Sequence, residues 1–565
     1  MGAVGGIFLT TAGAWRSRNL RSGAPPTADQ TVGVEERGRP VVTLKPPAAD
    51  GSEAQPNSAR TGSLLWTWLP LIAILSVAFA VRLVVALNTP IEGDSATAGL
   101  TALQISQGHL RLMEPNAHYQ GTGLMFLLAP FVAAMGATAA ALAVGMSVLG
   151  TAYVGAMFVL GKALRPQGRF ALVLAGAAAI FPLFAITFGT HARASYGDSL
   201  IWEALVCTCA VHIGWRQPRW YHWVGAGLLS GIGLWDSFLF ALPAGVMAIG
   251  VLTQVRRMGF ARFARGAVLS GIAFLVGFSP WLAFNLRYGF ISLHNIPNYS
   301  LSRVQAMKAF VKQALPVFTG TDQRWPAWLT AAAVVALVLA ALIARWQLSA
   351  ASTPIRDRLR LQAVDVVLVL LPVMVVAVTL TRFNGVPFEP RYFLPAVVPL
   401  CVCIALALTA RWPLLLVSGA ILGAMTLTSV FTVIAASQTP VYGTIFGALF
   451  TPSWGDLAPW LQRQNVEAVY ADYWIERPLQ YLTGDKIPMA PYDGYLAFID
   501  EAKTADAAAH PSYLFAAVDW GARTKVEAAC ALHGVTFTIA THGEFVLYTL
   551  STSLSPGSIS GIGTG

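Results

Sequence analysis

Charge is scarce in this sequence. Asp, Glu, Lys and Arg make up only 11% of its 565 residues, while 55% are hydrophobic; a soluble domain carries about 25% charge. That shortage excludes an ordinary water-soluble globule. Cysteine is scarce too. Cys207, Cys209, Cys401 and Cys403 lie inside apolar runs, where the thiol behaves as a small hydrophobe. Only Cys530 lies in a polar region, so that region has no disulfide framework. No CxxC or Cys/His cluster has zinc spacing. Gly-rich phosphate loops and recognisable Ser/His/Asp arrangements are missing as well, as are solenoid repeats and an obvious inverted repeat of the transporter kind. The opening "MGAVGGIFLTTAGAW" has no basic residue before its weakly apolar stretch and does not read as a signal peptide.

Long apolar runs are present in quantity. A bilayer-crossing helix needs about 20 apolar residues. Candidate spans are 64–88, 138–161, 169–189, 197–214, 220–235, 237–253, 265–285, 327–346, 363–381, 392–410 and 412–436. The pattern predicts a polytopic α-helical membrane protein of about eleven transmembrane helices. Residues 1–62 read as a disordered tail, 63–437 as the membrane body, 438–553 as a small α/β domain and 554–565 as a flexible end. Within 438–553, "VEAVYADYW" and "EFVLYTLS" carry strand patterning.

The net charge of +10 sits mostly in short loops between apolar runs, which fits membrane orientation rather than nucleic-acid binding. With the N-terminal tail on the cytoplasmic side, the loops holding Lys162 and Arg165, Arg216 and Arg219, Arg256 and Arg257, and Arg411 all fall on that side. Residues 121–136 ("GTGLMFLLAPFVAAMG") are apolar but short. Counting them as a span would put these Arg clusters outside, so they read as re-entrant or interfacial. The opposite face then holds a first loop (89–137), 190–196, 286–326, 382–391 and the C-terminal domain.

Candidate chemistry gathers on that second face. "NTPIEGDSATAGLTALQISQGH" places Glu92 and Asp94 at the exit from the first span. A carboxylate there serves as general base if burial holds its pKa near the working pH; equally, Asp94 before Ser-Ala-Thr-Ala makes a good helix N-cap. "THARASYGDSLIWEAL" brings His191, Arg193, Asp198 and Glu203, ionisable groups that are costly at membrane depth, although Asp198 also suits a helix cap. "TRFNGVPFEPRYFLPAVVPL" opens a span with Arg391, suited to bidentate phosphate contact or to an ion pair with Glu389. Arg287 and Arg382 are further cations on this face, and Trp281, Tyr288, Tyr299, Trp325, Tyr392, Tyr473 and Trp474 form either sugar-stacking faces or an aromatic belt. Glu92, Asp94 and Asp198 are compatible with a divalent cation, but their spacing identifies none.

Seven stretches in this order carry a resemblance: "GDSATAGLTALQISQGH", "YQGTGLMFLLAPFVAAMG", "SYGDSLIWEAL", "GAGLLSGIGLWDSFLFALPA", "GFSPWLAFNLRYG", "EPRYFLPAVVPL" and "ADYWIERPLQYLTGD". Together they resemble the GT-C glycosyltransferases, and within them the bacterial dolichyl-phosphate-mannose-protein mannosyltransferase-like enzymes (glycosyltransferase family 39, RgtA/B/C/D-like). The resemblance implies inverting sugar transfer from a polyprenyl-phosphate donor to an extracytoplasmic glycan, lipid or protein acceptor at the cell membrane. It implies Asp94 as the base, Asp198 as a second catalytic acid, and Arg391 with Tyr392 on the lipid phosphate. Glu92, His118, Tyr119, His191, Arg193 and Arg287 are the other expected substrate contacts. Two departures stand out. Asp94 is followed by Ser95 rather than a second acid, and "EPNAHYQG" lacks the Gly-Gln and the Pro of many relatives. A transporter or flippase of lipid-linked saccharides, or a non-catalytic envelope assembly subunit, would share the many spans and outward cations.

Overall fold

The computed structural model describes residues 58–562, apart from 116, 167, 194–195, 294–301, 322–323, 351–360, 381–389, 439–443, 446–447, 450–453 and 494–498. Glu389, Arg382 and Tyr299, together with most of the expected N-terminal tail, lie outside the described residues.

The apolar runs form helices: α1 (Ser58–Leu87), α2 (Gly93–Ser106), α3 (Gly123–Met135), α4 (Ala139–Leu164), α5 (Phe170–Ile180), α6 (Leu183–Gly189), α7 (Ser199–Trp215), α8 (Trp220–Asp236), α9 (Ala241–Leu252), α10 (Phe260–Arg287), α11 (Ala327–Ala350), α12 (Ala363–Leu380), α13 (Val397–Leu408) and α14 (Trp412–Gln438). Every expected span is met by a helix, but fewer are full crossings than the sequence suggests. Among the described residues, six helices are long and apolar enough to cross a membrane, or seven if the α5–α6 pair, bent by 62°, is one span. The bend in that pair and the shorter helices have local reasons. Pro182 follows the end of α5 and cannot continue its hydrogen bonding. Helix α8 runs through Asp236 and stops at Ser237, whose extended backbone leads into a 3₁₀ turn. Residues 121–136 supply α3, 13 residues long.

Small residues set the tightest helix contact. A Cβ on Gly231 would lie 2.3 Å from the Phe274 carbonyl oxygen, and one on Gly277 would lie 2.4 Å from that of Leu228. Helices α8 and α10 therefore meet backbone to backbone, the small-residue packing that substitutes for a hydrophobic driving force in lipid. Buried Arg82 of α1 donates to the carbonyls of Ala178 and Ala179 at 3.1 Å each, satisfying carbonyls at the broken end of α5.

The C-terminal part is a three-layer α/β/α unit. Its helices are α15 (Trp454–Arg463), α16 (Tyr473–Leu482), α17 (Ile499–Asp506) and α18 (Trp520–His533). Its strands are β1 (Val469–Ala471), β2 (Met489–Pro491), β3 (Ser512–Ala516), β4 (Phe537–His542) and β5 (Phe545–Leu550). The sheet order is β2-β1-β3-β5-β4. β1 runs parallel to β2 and β3, with Val469 opposite both Met489 and Ser512, while β5 is antiparallel to β3 and β4. The period of two sorts the side chains: Tyr470, Tyr513 and Phe515 pack under α17 and α18, while Val469, Ala471 and Leu514 pack under α15 and α16. Of the two strand-patterned segments, "EFVLYTLS" is β5, while "VEAVYADYW" supplies the three residues of β1 and then opens α16 at Tyr473. Within α16, Glu476 and Arg477 form a buried ion pair at 3.0 Å, and Arg477 also donates to Gln480 at 2.6 Å. Helix α16 lies against α2, the helix that carries Asp94.

Candidate functional site

The first result of the geometry is a division of labour between Glu92 and Asp94. Helix α2 starts at Gly93, and its N-cap is Glu92, not Asp94. The Glu92 carboxylate accepts from the backbone N–H groups of Asp94 and Ser95 at 3.1 Å each and from the Ser95 hydroxyl at 2.7 Å. It also accepts from Arg193 Nε at 2.8 Å. Burial alone would raise the pKa of Glu92. The charges of Arg193 and His191 and the bonds from Ser95 and Arg193 outweigh it, and Glu92 is held below the usual carboxylate range. Glu92 is 0% exposed, and its bonds tie the start of α2 to Arg193.

Asp94 is thereby released from capping. It stands in the first turn of α2, half-buried rather than sealed. Burial, and then the negative charge of Glu92, push its pKa up to about 6; the charges of Arg193 and Arg391 and a hydrogen bond from the Tyr473 hydroxyl at 3.2 Å work the other way. A carboxylate so tuned accepts a proton readily near neutrality.

Glu114, which the sequence did not single out, joins the same cluster. It is buried, and its pKa rises to about 8, first through burial and then through the charge on Asp94, with Arg391 opposing. Only the fold reveals it, since a lone acid in "RLMEPN" carries no local pattern. Tyr473 was noted only as one aromatic among several. Its hydroxyl also lies 3.0 Å from that of Thr97 on α2.

Arg391 sits in a 3₁₀ turn (Pro390–Ala396) that leads into α13. Its guanidinium lies 5.8 Å from the Tyr196 ring centre and 5.2 Å from that of Tyr392, and cations favour such positions over aromatic faces. Tyr392 is buried edge-on to Tyr196, and the Tyr196 hydroxyl accepts from the Gln120 amide at 3.0 Å. A cavity of about 10 Å³ is lined by Arg391, Tyr196, Ser199, Glu203 and Ser237.

Asp198 falls in a different, closed group. It occupies the N-cap position of α7 without making a side-chain cap bond. It accepts from the Trp202 indole at 3.3 Å, while Asp236 accepts from the Gly123 amide at 3.2 Å. A side-chain hydrogen bond joins the two carboxyls, and one of them must supply its proton, because ionised carboxylates only accept. Among the described residues, Asp198 Oδ1 and Asp236 Oδ2 find no donor outside this pair. Both side chains are 0% exposed.

The remaining expected contacts divide. Arg193 is buried, paired with Glu92, and lies 4.8 Å from the Phe188 ring centre. His191 Nδ1 lies 2.7 Å from the Thr187 carbonyl, and burial, then Arg193, lower its pKa. His118 and Tyr119 are half-buried in the first loop; the His118 carbonyl accepts from the Ser292 hydroxyl, its ring packs on Phe284, and burial lowers its pKa. Arg287 is exposed at the end of α10, over Tyr288. Among the described residues, no group of three or more His, Cys, Asp or Glu side chains forms a metal site, and Glu92 is already committed to Arg193.

No family model matches the chain, and no curated protein matches it. Among solved structures it is similar to ArnT from Cupriavidus metallidurans bound to undecaprenyl phosphate, at 13% identity over 86% of this chain and 98% of that one, with a TM-score of 0.45. It is also similar to an Archaeoglobus fulgidus oligosaccharyltransferase in complex with Zn and sulfate (11% identity, 86% of this chain, 73% of that one, TM-score 0.46). A third similarity is to the mycobacterial arabinofuranosyltransferase AftD (15% identity, 85% of this chain, 42% of that one, TM-score 0.42). The overlap is loose in each case, and the function below stands on this chain's own residues.

Proposed function

We propose that this protein is a membrane glycosyltransferase that moves a sugar from a polyprenyl-phosphate donor to a hydroxyl acceptor on the extracytoplasmic side of the cell membrane. The observation that carries the reading is Asp94 itself. It is freed from capping by Glu92, left partly open, tuned to about 6, and set within the field of Arg193 and Arg391.

The step balances with these groups. Asp94 takes the proton of the acceptor hydroxyl as its oxygen bonds to the anomeric carbon. The bond from that carbon to the donor phosphate oxygen breaks, the electron pair stays on that oxygen, and the phosphate leaves still joined to its prenyl chain. Attack opposite the departing phosphate inverts the anomeric centre. Arg391, steadied by Tyr196 and Tyr392, stabilises the charge that grows on the leaving phosphate. The cavity beside it has room for about one water. In this reading 63–437 is the catalytic membrane body, the N-terminus is cytoplasmic, and 438–553 lies outside. Lipid-borne donor chemistry needs no nucleotide-binding loop, which agrees with the absence of one from the sequence.

The test compares wild-type cells, a deletion and Asp94→Asn for lipid-linked sugars and envelope glycans. The expected result is that both altered strains accumulate one polyprenyl-phosphate sugar and lose one decoration. A deletion phenotype with wild-type behaviour of Asp94→Asn overturns the assignment and favours a transporter or assembly subunit.

A further inference from the structure

The C-terminal unit reaches the chain on both sides of Asp94. The Trp454 indole of α15 donates to the Ile91 carbonyl at 2.9 Å. At Gly93 a Cβ would meet the rings of Tyr473 and Trp474 at 2.8 Å each, so the glycine beside the base is needed for α16 to come this close. At Gly99 the Tyr481 ring takes the same space, and the Tyr481 hydroxyl donates to the Thr138 carbonyl at 3.1 Å. Between these anchors, the buried Tyr473 hydroxyl meets Asp94 Oδ1 and Thr97.

We propose that Tyr473 is a positioning residue of the transfer site, supplied by the C-terminal unit, whose hydroxyl holds Asp94 both before and after the base takes its proton. The inference rests on the reading of Asp94 as base. With Asp94 ionised, the phenol donates to Oδ1 and leaves the second carboxylate oxygen for the acceptor. Once that second oxygen carries the acceptor's proton, Oδ1 is left as the carbonyl oxygen and still accepts from the phenol, so one bond holds the carboxyl in both states. Thr97, whose hydroxyl donates to the Gly93 carbonyl at 2.9 Å, lies 3.0 Å from the phenol oxygen and keeps it in place. Burial, then the charge on Asp94, raise the Tyr473 pKa well above its ordinary value, so the phenol keeps its proton. The groups that face Asp94 are Glu92 on its own segment, Arg193 from the 190–196 loop, Arg391 from the 3₁₀ turn, Glu114 from the first loop and Tyr473 from α16.

The experiment follows sugar transfer from a radiolabelled polyprenyl-phosphate pool in membranes holding the full-length protein, across pH. Tyr473→Phe keeps the ring against Gly93 and removes only the hydroxyl. It is expected to move the acidic limb of the rate profile up by about one pH unit and to lower the rate at pH 6 about fivefold, because a bond favouring the ionised base is gone. Placing 3-fluorotyrosine at 473 keeps the hydroxyl and makes it a stronger donor, so the limb moves down. Opposite shifts from two variants that both keep the aromatic ring are not produced by a merely structural tyrosine. Wild-type limbs in both variants, with Asp94→Asn inactive, overturn the role of Tyr473 alone. Activity in Asp94→Asn overturns the base and this inference together.

Discussion

Two pairs of acids lie at the ends of helices in this protein, and they meet opposite fates. Glu92 and Asp94 are answered by guanidinium groups: Arg193 binds Glu92 directly, and Arg193 and Arg391 both act on Asp94. Among the described residues, Asp198 and Asp236 have no cation beside them and are left with an indole, backbone amides and each other. The difference teaches that an acid in this fold is defined by what compensates it. A compensated carboxylate stays ionised and available; an uncompensated pair shares a proton and closes on itself.

The largest expected effect breaks the first pair at its working member. Asp94→Asn removes the base and should cut transfer by about 10²- to 10⁴-fold, while the thermal midpoint in detergent stays near that of the wild type, because Asp94 neither caps α2 nor forms its ion pair. Glu92→Ala tests the other half. It strands a buried guanidinium and strips the helix of its cap, a loss on the order of 3–5 kcal/mol. Thermal unfolding should show that loss, and activity should fall with the amount of folded protein. If Asp94→Asn melts early, or Glu92→Ala melts like the wild type, the division of labour between the two acids is wrong.

Arg391 sharpens the same contrast, because it acts on both the base and the leaving group. As a base, Asp94 works ionised, so the rate should fall as pH drops through about 6. The charge of Arg391 favours the ionised form, so Arg391→Gln should move that limb to higher pH. The loss of phosphate stabilisation should also lower the plateau about 10²-fold. A plateau drop without movement of the limb would separate Arg391 from Asp94.

How much of this the sequence showed depends on the range of the interaction. Apolar runs and strand alternation are local, so every span appeared as a helix and "VEAVYADYW" and "EFVLYTLS" each supplied a strand. Asp236 marked the stop at Ser237, where the spans 220–235 and 237–253 divide. Length was less visible elsewhere: the break at Phe181–Pro182 lies inside continuous apolar composition, so the span 169–189 ran across it. At the site, Asp94 was legible as a candidate, but its two readings were not separable. The deciding bonds come from its own neighbour Glu92, whose commitment to Arg193 joins positions 101 residues apart. Tyr473, 379 residues from Asp94, and Glu114 could be placed beside the base only by the fold.

The smallest expected effect concerns the second pair. A shared proton makes one carboxyl a donor, and an amide offers an N–H in its place at similar volume. Asp236→Asn should therefore cost less than about 1 kcal/mol in thermal unfolding, since the Gly123 amide still finds an oxygen and Asp198 still receives a donor. Asp236→Ala removes both functions, leaves the Gly123 amide and one Asp198 oxygen without partners, and should cost about 1–3 kcal/mol. Equal losses for Asn and Ala would show that Asp236 needs its charge. The two acidic pairs would then differ in exposure alone, with Asp198 restored as a working acid rather than half of a closed carboxyl pair.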